Sequence, residues 1–297
     1  MPETPEIVLA RLAQLHGITG PKRDPVSRRY RSHDGLELHY LDWSGSGEAV
    51  ILLHGGALTA HTWDLVALDL SNAFRCIALD LRGHGLSGWS GDYRIDTAAR
   101  DVAALLDHLK LDRVHVVGMS LGGNIGAHYA ALPEARAISL AMVDVGPWVD
   151  FGATTGMRGF MSEPIAHLTV EELVDKALAI SASGGRDKIL YRYLHMTHRL
   201  ADGALAWRDD RRRTKDYPHM LAKLDELADL APCMTCRALV VRGGRSKVLT
   251  AQKVERFAKL FRDGRTALVE EAGHNVQEDR PKELAAILRR FLNPAPA

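Results

Sequence analysis

Cysteine is scarce in this chain, with three in 297 residues. Cys233 and Cys236 form a Cys-x-x-Cys pair, but structural zinc needs two further ligands and no second pair exists. A thioredoxin-like redox role would need the pair at a helix start in another fold, so the spacing is read as coincidence. An excess of charge is also missing: 38 basic side chains face 37 acidic ones, a net charge of +1. That balance excludes a global field recruiting nucleic acid or an anionic membrane. No apolar run approaches the length needed to span a bilayer, and no internal repeat or low-complexity tract occurs. The first turns carry Glu3, Glu6 and Arg11, which do not suit a secretory leader. Together with so little cysteine, this leads to the expectation of a cytoplasmic protein.

Hydrophobic residues make up 46% of the chain, enough for one large domain with an insertion. The most informative stretch runs from Val114 to Gly123: Val-His-Val-Val-Gly-Met-Ser-Leu-Gly-Gly. A short β-branched strand enters Gly-x-Ser-x-Gly, and an alanine-rich helix follows. In such a strand-to-helix turn the serine is strained and exposed, and the flanking glycines remove side chains that would clash. The new helix directs its first amides and positive dipole end at the site, which favours an oxyanion. Ser120 is therefore the candidate nucleophile.

A serine hydroxyl needs a base within reach, oriented in turn by a third group. For this turn the expected chain order is serine, acid, histidine. Arg265–Val269 reads as a last strand and Lys282–Leu292 as a last helix, and between them lies Glu271-Ala272-Gly273-His274-Asn275. His274 is the candidate base. The usual acid position follows the penultimate strand, Arg237–Arg242, yet no carboxylate occurs from Arg237 until Glu255. Ser246 and then Lys247 stand there instead. The preceding strand, Ala137–Val143, ends in Asp144-Val145-Gly146-Pro147, and a carboxylate there reaches the same histidine from a neighbouring strand. Asp144 is the candidate acid; the competing reading is that it only caps the turn. The run Val50–Leu53 leads into His54-Gly55-Gly56-Ala57, where glycines let amides turn inward. The oxyanion hole is expected from the amides of Gly56 and Leu121, with Ala57 as the fallback donor. His54 reads as a brace for this loop.

These motifs together resemble the α/β-hydrolase superfamily: the His-Gly-Gly loop, Asp80-Leu81-Arg82-Gly83-His84-Gly85-Leu86-Ser87, the Gly-Met-Ser-Leu-Gly-Gly turn and the late Gly-His, in the familiar order. The resemblance covers about residues 26–146 and 233–297. It implies an α/β fold with a mostly parallel doubly wound sheet and gives Asp80 a turn-stabilising role. Within the superfamily the chain is similar to the (acetamidomethylene)succinate hydrolases and, more loosely, to zearalenone-type lactonases, a branch with its acid after strand six. Lys247 replaces an aspartate found in many relatives, which strengthens the case for Asp144. A serine nucleophile argues against haloalkane dehalogenase and epoxide hydrolase chemistry.

Along the chain, Ser27–Ser32 and Leu36–Asp42 flank Asp34-Gly35, a hairpin signal. Strands and helices then alternate: Ala49–Leu53, a helix near Trp63–Leu70, Arg75–Leu79, a helix over Thr97–Leu109, the Ser120 strand and a helix over Leu121–Ala131. Such alternation places a site at the carboxyl ends of the strands. The expected division is 1–25 as an amphipathic helix and linker, 26–146 and 233–297 as core, and 147–232 as a helical lid. In the first segment Thr4 and Pro5 suit a helix start, Val8, Leu12 and Leu15 share one face, and Gly17 ends the run. The lid carries helical patterns at Val170–Ile180 and Met220–Leu230 and no convincing strand. Ala57, Met119, Trp148, Phe151 and Phe160 are the candidate substrate-lining residues. Trp207–Arg213 is a mixed charge run that usually forms a solvated face; an inward-turned arginine there would hold a substrate carboxylate.

The function expected is a serine hydrolase cleaving a small or medium carboxylic ester, lactone or amide, without cofactor or metal. It acts on a small-molecule substrate as a monomer or homodimer, with no nucleic-acid or membrane partner. Two alternatives stay open: a carbon–carbon bond hydrolase of the same fold, whose usual asparagine after the serine is Leu121 here, and a low-turnover ligand receptor or scaffold.

Overall fold

The computed structural model describes residues 3–19, 24–149, 164–180 and 185–293. Its frame is an eight-stranded sheet in the order β1-β2-β4-β3-β5-β6-β9-β10. β1 (Val26–Arg31) and β2 (Glu37–Asp42) form the antiparallel hairpin turning at Gly35, which adopts a positive φ of 83°. β2 also runs antiparallel to β4 (Arg75–Leu79), and every remaining neighbour pair is parallel: β3 (Ala49–Leu53), β5 (Val114–Met119), β6 (Ala137–Val143), β9 (Arg237–Gly243) and β10 (Gly264–Val269). Helices cover both faces, which is why β3 and β5 are buried along their whole length rather than alternating. One face packs Val50, Leu52 and Val117 with Trp63 and Leu288; the other packs Ile51, Leu53 and Val116 with Val102 and Phe257.

The connecting helices are α2 (Asp64–Leu70), α3 (Ile95–Leu109), α4 (Leu121–Ala130), α9 (Ala251–Ala258), α10 (Val276–Asp279) and α11 (Pro281–Leu292), labelled in chain order with those of the N-terminus and insertion. α3 buries Ile95, Ala98, Val102, Leu105 and Leu106 on one side and stops where Lys110 enters the left-handed region. At the N-terminus α1 (Pro5–Leu15) lays Val8 and Leu12 into the core, and Arg11 pairs with Asp187 of the insertion. Leu15, expected on the same face, is instead 76% exposed.

Between β6 and β9 the described chain forms α5 (Val170–Ile180), α6 (Arg186–Met196), α7 (Tyr217–Asp225) and α8 (Leu227–Leu230). The expected single helix from Met220 to Leu230 is two helices beginning earlier, with Pro218 in the first turn, where its missing N–H is harmless. The expectation of no strand fails: β7 (Thr197–Arg199) and β8 (Leu205–Trp207) pair antiparallel around Gly203, whose φ is 86°. Three-residue strands are too short to print an alternating pattern. The Trp207–Arg213 run is also not a solvated face. Asp209 and Asp210 are buried, Asp210 N–H donates to Gly83 O at 2.8 Å, and the Tyr93 hydroxyl donates to the Asp210 carboxylate. The run is a strut tying the insertion to the core. Among the described residues no helix is long and apolar enough to cross a membrane.

Candidate active site

Ser120 follows β5 with φ 51° and ψ −115°, a conformation that side-chain-bearing residues rarely adopt. The glycines around it are required by contact. A Cβ on Gly118 would lie 2.3 Å from Gly122 O, and one on Gly122 would lie 2.2 Å from Leu53 O. The turn thus presses the start of α4 against β3, and Ser120 projects at the carboxyl edge of the sheet.

Asp144, one residue beyond β6, is fully buried and also has a positive φ of 51°. Its Oδ1 accepts from Gly243 N–H at 3.2 Å; its Oδ2 accepts from the Ser246 hydroxyl at 2.5 Å and meets His274 Nδ1 at 2.7 Å. β6 lies between β5 and β9, so Asp144 sits between the serine and the loop carrying Ser246. His274 is partly exposed, and its loop is anchored by Gly273 N–H donating to Asp279 Oδ2 at 2.8 Å. Ser120, Asp144 and His274 all border one cavity of about 580 Å³. Among the described residues the Ser120 hydroxyl makes no hydrogen bond. Ser246 is the partner that sequence reasoning passed over; its signal was its place, the slot where an acid was sought.

The Gly56 loop is braced by two buried histidines. His54 Nδ1 donates to Gly55 O at 2.7 Å and its Nε2 accepts from Leu81 N–H at 3.0 Å, and burial pushes its pKa down. His84 Nδ1 donates to Arg82 O while Nε2 accepts from Ala57 N–H at 3.3 Å. Burial, reinforced by the Arg213 charge, holds His84 well below the usual imidazole range. The Ala57 amide is therefore engaged, whereas the Gly56 and Leu121 amides have no acceptor among the described residues. Behind them Asp80 accepts from Ala60 N–H, Leu86 N–H and His39 Nδ1. Burial opposes its ionisation, but these hydrogen bonds and the His39 charge hold its carboxyl at about 2.

Ala57 and Met119 border the cavity. Trp148 is not among its described lining residues; it stacks beneath the Arg256 guanidinium, 4.0 Å from the ring centroid, an arrangement that takes its face away from the site. Phe151 and Phe160 lie outside the described residues. The insertion instead contributes Ile189, Tyr193, Arg211, Arg213 and Tyr217 to the wall. Arg213 is paired with Asp209 at 2.7 Å. Arg211 stands over the Trp207 ring, and its Nε and Nη2 are buried without a hydrogen-bond partner among the described residues. Arg242, at the end of β9, donates to the carbonyls of Leu249, Gly244 and Ser246, shaping its own loop rather than facing substrate. All three cysteines are free, and burial pushes Cys76 up to about 12.

The model of the alpha/beta hydrolase family matches residues 50–287. The chain belongs to that family. An esterase of Mycobacterium tuberculosis is 34% identical, the alignment covering 96% of this chain and 95% of that protein. N-formylmaleamate deformylase of Pseudomonas putida is 29% identical over 88% of this chain and 95% of that protein. The solved structure of the M. tuberculosis esterase superposes with a TM-score of 0.78 at 29% identity, covering 98% of this chain and 99% of that one. The structure of E-2-(acetamidomethylene)succinate hydrolase, at 23% identity, has a TM-score of 0.79 over 90% and 99% and bears on the fold alone. With esterases among its full-length relatives, this alpha/beta hydrolase is a hydrolytic enzyme.

Proposed function

We propose that the chain hydrolyses a small or medium carboxylic ester, lactone or amide through an acyl-enzyme on Ser120. The observation that carries this reading is the 2.7 Å contact between His274 Nδ1 and the buried Asp144 carboxylate, in the cavity that Ser120 enters. Asp144 fixes His274 in the tautomer whose Nε2 is free to accept the serine proton. Ser120 then attacks the carbonyl carbon. The oxygen gains negative charge between the Gly56 and Leu121 amides, whose lack of acceptors among the described residues supports that role. His274 returns the proton to the leaving group, and water activated by the same imidazole releases the acid. Residues 147–232 act as a lid over the core of 26–146 and 233–297, since this segment supplies one wall of the cavity.

Arg211 gives the substrate a further character. A guanidinium whose buried Nε and Nη2 have no partner among the described residues, beside the reaction cavity, suits a second, anionic group on the substrate. A relative named for N-formylmaleamate, an amide bearing a carboxylate, fits this reading. Free, buried cysteine suits a reducing compartment, and a cytoplasmic site of action is proposed on that basis. The test is a panel of esters, lactones and amides with and without a free carboxylate, assayed on wild type and Ser120→Ala. Ser120→Ala should lose about 10⁶ in kcat and all labelling by a fluorophosphonate. Equal turnover in the two proteins would end the assignment.

A further inference from the structure

Asn124 stands on α4 one turn beyond Ser120, and its backbone N–H donates to Ser120 O at 3.1 Å. It is fully buried, yet it borders the cavity that Ser120 enters. Its side-chain Nδ2 donates to Met220 O at 3.4 Å, and a carbonyl can only accept, so this contact tells the two ends of the amide apart. The other end, Oδ1, is buried with no hydrogen-bond partner among the described residues. Buried acceptors left open are rare in folded proteins, and each asks for an explanation. At the wall of a reaction cavity the missing partner is a group on the ligand. Ile125 on α4, and Met220 and Leu224 on α7, border the same cavity, so the open oxygen is set among apolar side chains.

We propose that Asn124 determines specificity by accepting a hydrogen bond from a neutral hydroxyl or amide N–H on the acyl portion of the substrate. The position of that donor follows from helix geometry. Four residues along α4 separate Asn124 from Ser120 by about 6 Å, and helical side chains lean toward the N-terminal end, here toward Ser120. A hydrogen bond spans about 2.9 Å of that distance. The remaining 3 Å or so equals two or three covalent bonds from the reacting carbonyl carbon. In an ester this reach falls on a substituent at the 2- or 3-position of the acyl group, because the leaving side offers there only the ester oxygen and the carbon after it. Apolar neighbours disfavour a charged donor. A carboxylate or ether oxygen at this point would face Oδ1 lone pair to lone pair, so Asn124 selects for a different group from the anion assigned to Arg211.

This inference rests on the proposed esterase reading and sharpens its substrate class. Phenyl 2-hydroxyhexanoate is compared with its isostere phenyl 2-methylhexanoate, and phenyl 3-hydroxyhexanoate with phenyl 3-methylhexanoate, on the full-length wild type and on Asn124→Leu. The inherent reactivity of each ester cancels when the two proteins are compared. In at least one pair the hydroxyl-to-methyl ratio of kcat/KM should be about 10-fold higher in wild type than in Asn124→Leu, the worth of one neutral hydrogen bond. Asn124→Asp keeps an acceptor in the same place and should keep the wild-type ratio; it decides the matter if Asn124→Leu does not fold. Equal ratios in wild type and Asn124→Leu for both pairs, or a ratio lost in Asn124→Asp, overturns the proposal, and Oδ1 then meets only a buried water. Equilibrium binding of the same esters to Ser120→Ala, with and without Asn124→Leu, reads the contact without turnover. If wild type hydrolyses none of the esters while binding still shows the hydroxyl preference and its loss in Asn124→Leu, the esterase reading alone fails.

Discussion

Ser246 and His274 meet on a single atom: the Ser246 hydroxyl lies 2.5 Å, and His274 Nδ1 2.7 Å, from Asp144 Oδ2. The loop after β9, where an acid was sought, thus supplies a hydrogen-bond donor to an acid on the neighbouring strand. Asp144→Asn is predicted to lower kcat by about 10⁴, because an amide holds the wrong tautomer of His274. Combining it with Ser246→Asp places a carboxylate within reach of the same loop and should restore at least about 10-fold. Steady-state kinetics on the three proteins decide this, and a fully active Asp144→Asn would remove Asp144 from the mechanism.

The turn at Ser120 tolerates no side chain on its glycines. Gly122→Ala puts a Cβ 2.2 Å from Leu53 O and 2.6 Å from His54 O, both backbone atoms of a buried strand and its loop. A loss of about 2 kcal/mol or more is expected, read as a shift in the urea midpoint. An unshifted midpoint would contradict the packing described for this turn.

Arg211 should discriminate between substrates rather than drive chemistry. Arg211→Gln is predicted to raise KM by about 10-fold or more for an ester carrying a free carboxylate, the worth of a hydrogen bond to a charged group. For a neutral ester of the same size KM should hardly move. Equal changes for both would show that Arg211 serves the fold and not the ligand.

Asp80 makes stability depend on acid. Burial works against its charge, yet its hydrogen bonds and His39 hold its folded pKa at about 2, below the ordinary aspartate range. A depressed carboxylate stabilises the fold above its unfolded pKa and loses that contribution as pH falls through the folded value. Asp80→Asn should therefore melt well below wild type at neutral pH, with the gap narrowing between about pH 4 and 2. A gap that is constant with pH would mean that the shape of Asp80, and not its charge, is what the loop requires.

The architecture was legible because parallel, doubly covered strands need unbroken apolar runs. Val50–Leu53, Val116–Met119 and Ala238–Val241 have them, with helices between. The candidate site residues stood out in the sequence for a related reason. Gly118 and Gly122 mark a turn too tight for side chains, and Asp144 and His274 fall just past strand ends, where a doubly wound sheet gathers its loops. The hairpin Thr197–Trp207 was not, since three residues a strand give period-two alternation no room. Nor was the burial of Asp209 and Asp210: a charge run reads as solvated until the backbone of Gly83 and the hydroxyl of Tyr93 arrive from elsewhere in the chain.

Local sequence, through its glycines, apolar runs and turn residues, settled which backbone shapes this chain adopts and which side chains stand at their ends. Tertiary structure decided which of those ends meet. The contact of residue 144 with residue 274 spans 130 positions, and the strand order that creates it follows from burying both faces of one sheet, a property of the whole chain. The same holds for Arg211: its type is written in the sequence, but its place at the cavity wall, with nitrogens unpaired among the described residues, depends on how the insertion folds back onto the core.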